Sequence, residues 1–101
     1  MQSAVVKLMQ LGQFPSADHT TVAQVAAIDT LLRAIQKPIT DEEAAALCSL
    51  FGPDDLYELA WYLLHLIETA PGWPINACLE NGDGEWIELL RTRARNGGFD
   101  V

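Results

Sequence analysis

The chain has 101 residues, of which 14 are acidic and 6 basic, so its net charge at neutral pH is -8. This length predicts a single domain over residues 1–101 and excludes a multidomain enzyme. Half of the residues are apolar, which is typical of a folded globular protein and excludes a disordered acidic tail. The negative charge disfavours direct binding to nucleic acid or to an anionic membrane, and it favours a basic partner.

The N-terminal segment and the cysteines predict the location of the protein. Residues 1–12 show neither a long apolar run nor a small-residue cleavage pattern, so they do not have the features of a signal peptide. No apolar run reaches the ~18 residues that a membrane-spanning helix needs. We therefore predict a cytoplasmic protein with no membrane contact. Cys48 and Cys78 lie outside any CxxC motif, so we expect reduced, partly buried thiols, with a disulfide as the alternative.

Apolar periodicity and capping signals predict the first two helices. A short amphipathic segment over residues 4–11 is followed by a loop over residues 12–19, which contains glycine, proline, serine and aspartate. Apolar residues then recur at helical spacing, and Thr20 or Thr21 is the expected cap. Pro38 ends this second helix, because the residue before a proline is pushed out of the helical region.

The middle of the chain predicts two helices joined by a tight connection. A Thr-x-x-Glu capping box begins a helix over residues 40–51. Gly52 is expected in the left-handed position at its C-terminus, and Pro53 in the first position of the next helix. That helix, over residues 53–69, is the most apolar segment of the chain, so we predict that it is the longest buried helix and forms the centre of the core.

The last third predicts one short and one regular helix. Two prolines and a glycine over residues 70–74 break the apolar helix, and a short helical turn is expected over residues 74–79. Residues 81–84 read Asn-Gly-Asp-Gly, which is typical of a turn, and the final helix is expected over residues 85–96. No segment alternates as a strand does. We therefore predict an all-α, compact bundle of about four main helices and one short helix.

The distribution of charge is uneven. Residues 38–90 contain eleven acids and no lysine or arginine, whereas residues 1–37 and 91–101 have small positive net charges. Several of these acids occupy the first turns of predicted helices, where the helix dipole stabilises them. The dipole does not explain why lysine and arginine are missing. We interpret the region as a negative surface for a basic partner, with a purely solubilising surface as the alternative.

Along the predicted central helix, five polar or aromatic residues are spaced by three or four positions and would share one stripe. They are Asp54, Glu58, Trp61, His65 and Glu68. A tryptophan surrounded by carboxylates is typical of a binding surface, because interfaces gain much of their energy from aromatic anchors. The alternative is that the tryptophan packs against a neighbouring helix.

Neither metal binding nor catalysis is predicted. His65 and Glu68 supply too few ligands for a metal site, and His19 lies in a distant loop. Neither cysteine has a base near it in sequence, and there is no glycine-rich phosphate loop. The glycine- and acid-containing residues 81–85 lack the ligand spacing of a calcium loop. We therefore expect no metal, no cofactor and no enzymatic activity.

Several stretches of the second half of the chain resemble one group of small bacterial proteins. Residues 50–55, with the sequence LFGPDD, and residues 59–74, with the sequence LAWYLLHLIETAPGWP, are similar to a segment of small, uncharacterised bacterial proteins. The later sequences EWI and LRTRA, at residues 85–87 and 90–94, are similar too. Such proteins are associated with immunity or accessory partners encoded beside secreted toxins. The resemblance implies a toxin domain as the partner and identifies no catalytic residue.

The sequence thus favours a non-enzymatic, acidic protein that binds and neutralises a basic protein partner. Carboxylates would steer the partner and aromatic side chains would anchor it. The expected partner-binding residues are Asp54, Asp55, Glu58, Trp61, Tyr62, His65, Glu68 and Trp73. The alternative function is a small helical adaptor or regulatory protein that acts through an apolar helix face and self-associates as a homodimer.

Overall fold

Residues 1–80 and 84–99 are described by a computed structural model and form six α-helices without any strand. The all-α prediction is confirmed for these ranges. The predicted turn over residues 81–84 lies outside them except for Gly84. Short 3-10 helices at Ala17–His19 and Cys48–Leu50 add to the six, which are α1 (Ser3–Leu11), α2 (Val22–Ala34), α3 (Asp41–Leu47), α4 (Leu59–Glu68), α5 (Asn76–Glu80) and α6 (Glu85–Asn96).

Capping boxes begin α2 and α3. The Thr21 hydroxyl accepts a hydrogen bond from the Gln24 backbone N–H at 3.1 Å, and the Gln24 side chain accepts one from the Thr21 N–H at 3.0 Å. Thr40 and Glu43 form the same reciprocal pair, as their spacing predicts. The cap of α2 is therefore the second of the two threonines that the sequence offered.

The segment before α4 is not helical, so the prediction that a helix begins at Pro53 is wrong. Leu56, Tyr57 and Glu58 have φ angles of 44°, 54° and 71°, in the left-handed region. This conformation costs an L-residue roughly 1–2 kcal/mol, and three such residues in succession cannot belong to a right-handed helix. The helix α4 consequently has 10 residues, and α2, with 13, is the longest helix of the described ranges.

Asp54 holds the left-handed turn in place. Its Oδ1 accepts a hydrogen bond from the Leu56 N–H at 3.0 Å, and its Oδ2 accepts one from the Ala17 N–H at 2.9 Å. The Leu56 side chain is fully buried, which offsets part of the conformational cost. The carboxylate of Asp54 thus joins the loop before α2 to the segment before α4.

Gly52 does not adopt the left-handed conformation that the sequence predicted. A Cβ atom at this position would collide with the Phe14 carbonyl group. The Phe14 N–H also donates a hydrogen bond to the Leu50 carbonyl at 2.8 Å, so the two segments pass close together. Glycine is needed here for this close approach.

The helix α4 lies at the centre of the core, as predicted. Leu63, Leu64, Leu66 and Ile67 are completely buried. Buried side chains from all six helices surround them or extend the core. The radius of gyration is 12.9 Å, close to the ~13 Å of a compact chain of 100 residues. No helix of the described ranges is long and apolar enough to cross a membrane.

Cys48 and Cys78 form a disulfide, so the prediction of two reduced thiols is wrong. Their Cα atoms are 5.6 Å apart, a normal separation for linked cysteines, and both residues are buried. The bond connects the 3-10 helix after α3 to α5. Its two residues are 30 positions apart, so only the packing of these two elements reveals the pair.

Glu43 is a carboxylate within the core, with 2% of its surface exposed. Its Oε2 accepts a hydrogen bond from the Gln2 N–H at 2.8 Å, and its Oε1 accepts one from the Thr40 N–H at 3.0 Å. Burial raises the pKa of the Glu43 carboxyl, but the hydrogen bonds from Thr40 and Gln2 outweigh this effect and leave the pKa below its ordinary value. The charged carboxylate therefore joins the start of α1 to the start of α3.

Candidate partner-binding site

The ten carboxylates of residues 38–90 that lie within the described ranges fall into two groups. In the first group the side chain has a partner within the protein. This group comprises Asp41, Glu43, Asp54, Glu68 and Glu88. In the second group the carboxylate is exposed and has no hydrogen bond or ion pair within residues 1–80 and 84–99. This group comprises Glu42, Asp55, Glu58, Glu80 and Glu85.

Two carboxylates of the second group face a shared surface recess. We call it the tryptophan recess, and its volume is about 320 Å³. Among the described residues, no lysine or arginine lines it. Its lining residues are Asp54, Asp55, Trp61, Glu85, Trp86 and Leu89. The recess therefore combines carboxylates with aromatic and aliphatic surface, and its charge is negative.

The two tryptophans of the recess belong to a series of rings that leads outward from the core. Phe51 is buried and stacks on Trp86, with ring centroids 5.5 Å apart and planes 6° from parallel. Trp86 meets Trp61 edge to face, with centroids 5.1 Å apart and an interplanar angle of 83°. Both arrangements are favourable for aromatic pairs. Trp61 remains 38% exposed, so the series presents an indole at the surface on a rigid base.

Different elements position the lining of the recess. Trp61 lies in the first turn of α4, while Glu85 and Trp86 begin α6. Asp55 precedes the left-handed turn, whose last residue, Glu58, accepts a hydrogen bond from the Trp61 N–H through its carbonyl at 3.1 Å. The turn thus places Asp55 beside the start of α6 instead of on the surface of a continuous helix.

The predicted five-residue stripe is wrong in its geometry. Asp54 and Glu58 precede α4 and do not lie on it. The Asp54 carboxylate is occupied by backbone N–H groups, although it contributes to the wall of the recess. Glu58 is exposed and lines a second recess, of about 430 Å³, together with Trp61 and Arg33.

Glu68 is engaged within the protein and is not free for a partner. Its carboxylate accepts two hydrogen bonds from Arg93, one from Nε at 2.8 Å and one from Nη2 at 2.9 Å. The hydrogen bond to Glu68 raises the pKa of the Arg93 guanidinium above its ordinary value. This pair joins the end of α4 to α6.

His65 stays beside Trp61, as the sequence predicted, with ring centroids 6.5 Å apart. Its Nδ1 is 3.6 Å from Oε1 of Glu68. Among the described residues no group of three or more histidine, cysteine, aspartate or glutamate side chains is placed to hold a metal ion. The absence of a metal stays a prediction.

The other two predicted anchors lie away from the tryptophan recess. Tyr62 is half-buried, and its ring lies 5.7 Å from the Arg33 guanidinium carbon and 5.5 Å from the Lys37 ammonium nitrogen. Trp73 is half-buried and packs against the core. Of the eight predicted partner-binding residues, Asp54, Asp55 and Trp61 line the recess.

The sequence did not identify three lining residues, namely Glu85, Trp86 and Leu89. Trp86 is partly buried, and its ring stacks on Phe51 of the core. The sequence signal for these residues was the pair Glu85-Trp86 at the start of the final helix, which places a carboxylate next to an aromatic ring. The contact between Trp61 and Trp86 joins residues 25 positions apart, so no local pattern predicts it.

A second surface has the opposite character. The side of the molecule formed by α1 and α2 exposes apolar side chains of α1, namely Val6 at 40% and Leu11 at 56%. Leu11 lines shallow grooves with alanines of α2. This α1–α2 face is the described surface that best fits the alternative of self-association.

Comparison with protein-family models, curated proteins and solved structures found no match to this chain. The chemistry of the tryptophan recess is therefore inferred from its residues. Carboxylates attract cations, and an indole presents an apolar face that also attracts cations. The recess can bind a group that is cationic at its tip and apolar along its stem.

Proposed function

We propose that the protein is a non-enzymatic binding protein that docks a basic protein partner at the tryptophan recess. One observation carries this proposal: the recess joins the exposed, rigidly supported Trp61 to the carboxylates of Asp55 and Glu85, which have no internal ion pair in the described ranges. Aromatic anchors supply binding energy at the centre of an interface, and surrounding charges steer the approach of a complementary partner.

The partner that we propose is a bacterial toxin domain with a cationic active site. The choice of a toxin follows from the resemblance expected for residues 50–55 and 59–74, which is to small bacterial proteins associated with toxin immunity. Binding at the recess would cover the cationic site and neutralise the toxin without catalysis by this protein. A secreted-toxin gene next to the gene for this chain would strengthen the proposal, and its absence would favour an adaptor.

The test begins with capture of a partner from the host, followed by its purification and identification. Trp61→Ala should raise the dissociation rate of a basic partner by roughly 30-fold, the effect expected from a hot spot of about 2 kcal/mol. Phe99→Ala is the matched control, because Phe99 is an exposed aromatic residue outside the recess. Unchanged circular dichroism would separate lost binding from lost folding. A partner that Trp61→Ala binds as tightly as the unaltered protein does would refute the docking site.

The cytoplasmic location is a proposal too, and the Cys48–Cys78 disulfide argues against it and makes it testable. Disulfides are rare in the reducing cytosol, so a cytoplasmic protein should carry Cys48 and Cys78 as thiols in the cell. Acid quenching of cells followed by alkylation with a mass tag counts the free thiols. Two tagged cysteines support the cytoplasm, whereas none indicates an oxidising compartment.

Self-association is the second candidate function, and the exposed apolar side chains of the α1–α2 face favour it. A homodimer through this face would bury Leu11 and the alanines of α2 that line the grooves beside it. Leu11→Glu should then shift a concentration-dependent dimer to monomer in sedimentation equilibrium. A protein that stays monomeric at millimolar concentration would exclude this candidate.

A further inference from the structure

We propose that the tryptophan recess accommodates the side chain of an arginine, in preference to a lysine, from the basic partner. This inference rests on the proposed docking function and deepens it, because it names the group that enters the recess. It follows from the shape and chemistry of the lining and from the absence of lysine and arginine among the described lining residues.

The aromatic part of the recess suits a planar cation. Trp86 already has Phe51 stacked on one face, so the 38% exposed indole of Trp61 is the more accessible aromatic surface. A guanidinium is planar and weakly hydrated, and it stacks on an indole face with less loss of hydration than an ammonium.

The carboxylates suit a forked donor. Asp55 and Glu85 enter the recess from two different elements and lack internal ion pairs, whereas the Asp54 oxygens already accept two backbone hydrogen bonds. The five N–H donors of a guanidinium can reach more than one carboxylate oxygen at once, which a single ammonium does less well. The Glu68–Arg93 pair shows this two-pronged geometry elsewhere in the protein.

Leu89 completes the lining and supplies apolar surface for the aliphatic part of an arginine side chain. An arginine carries an apolar stem behind its charged head, and the stem packs on apolar surface while the head remains paired with carboxylates. The recess, at about 320 Å³, is large enough for one such side chain and is open to solvent on one side.

The experiment titrates the unaltered protein with three blocked amino acids at fixed ionic strength. The probes are N-acetyl-arginine amide, N-acetyl-lysine amide and N-acetyl-citrulline amide, the last being the uncharged counterpart of the first. The indole N–H signals of Trp61, Trp86 and Trp73 are followed by NMR, and Trp73 serves as an internal control because it does not line the recess. Arginine should shift Trp61 and Trp86 saturably, in the millimolar range, without moving Trp73.

Lysine should bind at least about threefold more weakly than arginine, and citrulline should cause no saturable shift. Asp55→Asn and Glu85→Gln should each weaken arginine binding about threefold or more, whereas Glu42→Gln, an exposed acid outside the recess, should leave it unchanged. Trp61→Leu should weaken it while Trp61→Phe restores part of the affinity, with Trp86 as the reporter in both variants.

Equal affinities for arginine and lysine, or shifts that Trp73 shares, would overturn the arginine inference. If the arginine probe fails while a purified basic partner still depends on Trp61, the inference falls and the proposed function stands. If the arginine probe binds as expected but the partner binds the Trp61→Ala variant as tightly as the unaltered protein, the arginine preference of the recess stands and the proposed docking function falls.

Discussion

The Glu43 junction is the buried contact of the Glu43 carboxylate with the backbone N–H groups of Gln2 and Thr40. Glu43 and the acids of the tryptophan recess all belong to residues 38–90, which contain no lysine or arginine, yet their carboxylates have opposite roles. At the junction, the buried Glu43 accepts hydrogen bonds from two backbone N–H groups and links α1 to α3. At the recess, Asp55 and Glu85 are exposed and have no ion pair within the described ranges. An acidic composition therefore mixes structural carboxylates with carboxylates that are free to bind.

This difference separates two explanations of the negative charge. Five acids of the region have internal partners, so the fold itself accounts for them. Glu85 also gains from the dipole of α6, because it lies in the first turn of that helix. Within the described ranges Asp55 has no internal partner for its carboxylate, and it lies outside every helix. Neutralising the two kinds of acid should thus have different consequences, which the following changes measure.

The largest expected effect concerns the disulfide, which stabilises the interior on the side of α3 and α5. Replacing both Cys48 and Cys78 by serine should lower the free energy of unfolding by about 3 to 4 kcal/mol, because a closed loop of this length restricts the unfolded chain. Urea denaturation of the oxidised protein and the double variant measures the difference. A change below about 1 kcal/mol would show that the cross-link contributes little to the interior.

Removal of the buried carboxylate comes next. Glu43→Ala should destabilise the protein by about 2 to 3 kcal/mol, since it leaves the N–H groups of Gln2 and Thr40 without an acceptor. Glu43→Gln keeps one acceptor oxygen and should cost less. If Glu43→Ala and Glu85→Ala had equal free energies of unfolding in urea denaturation, the Glu43 carboxylate would be no more structural than the Glu85 carboxylate of the recess.

The pH dependence of stability tests independently whether the buried Glu43 carboxyl is charged. Its pKa is lowered in the folded protein, so its contribution is present above the ordinary glutamate pKa of about 4.5 and is lost as the pH falls through the folded-state value. Between pH 5 and pH 2 the unaltered protein should therefore lose more stability than Glu43→Gln does. Parallel curves for the two proteins would contradict the charged state of the buried carboxylate.

A smaller effect is expected for the ion pair at the end of α4. The Glu68 and Arg93 side chains are 21% and 38% exposed, so solvent screens their attraction. Glu68→Gln should destabilise the protein by about 0.5 to 1 kcal/mol, and the double variant with Arg93→Gln should show less than the sum of the single changes. Additive losses in this double-mutant cycle would mean that the pair does not act as a unit.

The sequence predicted the elements that depend on local signals. The Thr40 capping box and the extent of α6 were predicted correctly, because side-chain caps and helical periodicity act within one or two turns. The burial of Leu63 followed from the excess of apolar residues in its segment. These features need no knowledge of what lies opposite in the fold.

The features that the sequence missed depend on tertiary contacts. The left-handed residues Leu56 and Tyr57 include no glycine, and Asp54 stabilises their turn partly through the distant Ala17. The Cys48–Cys78 bond likewise depends on packing between α5 and the segment after α3. The tryptophan recess depends on the left-handed turn, which positions Asp55, and on the packing of α6, which supplies Trp86. Neither contribution can be predicted from local sequence.

The most direct test of the central claim neutralises carboxylates in matched pairs and measures binding of the purified partner. Asp55→Asn combined with Glu85→Gln should leave the free energy of unfolding within about 0.5 kcal/mol of the unaltered protein and lower the association rate at low salt about tenfold. Glu42→Gln combined with Glu80→Gln removes the same charge outside the recess and should change the rate less than about twofold. Equal slowing by the two pairs would contradict the account, because the acids of the recess would then act only through the net charge of the protein.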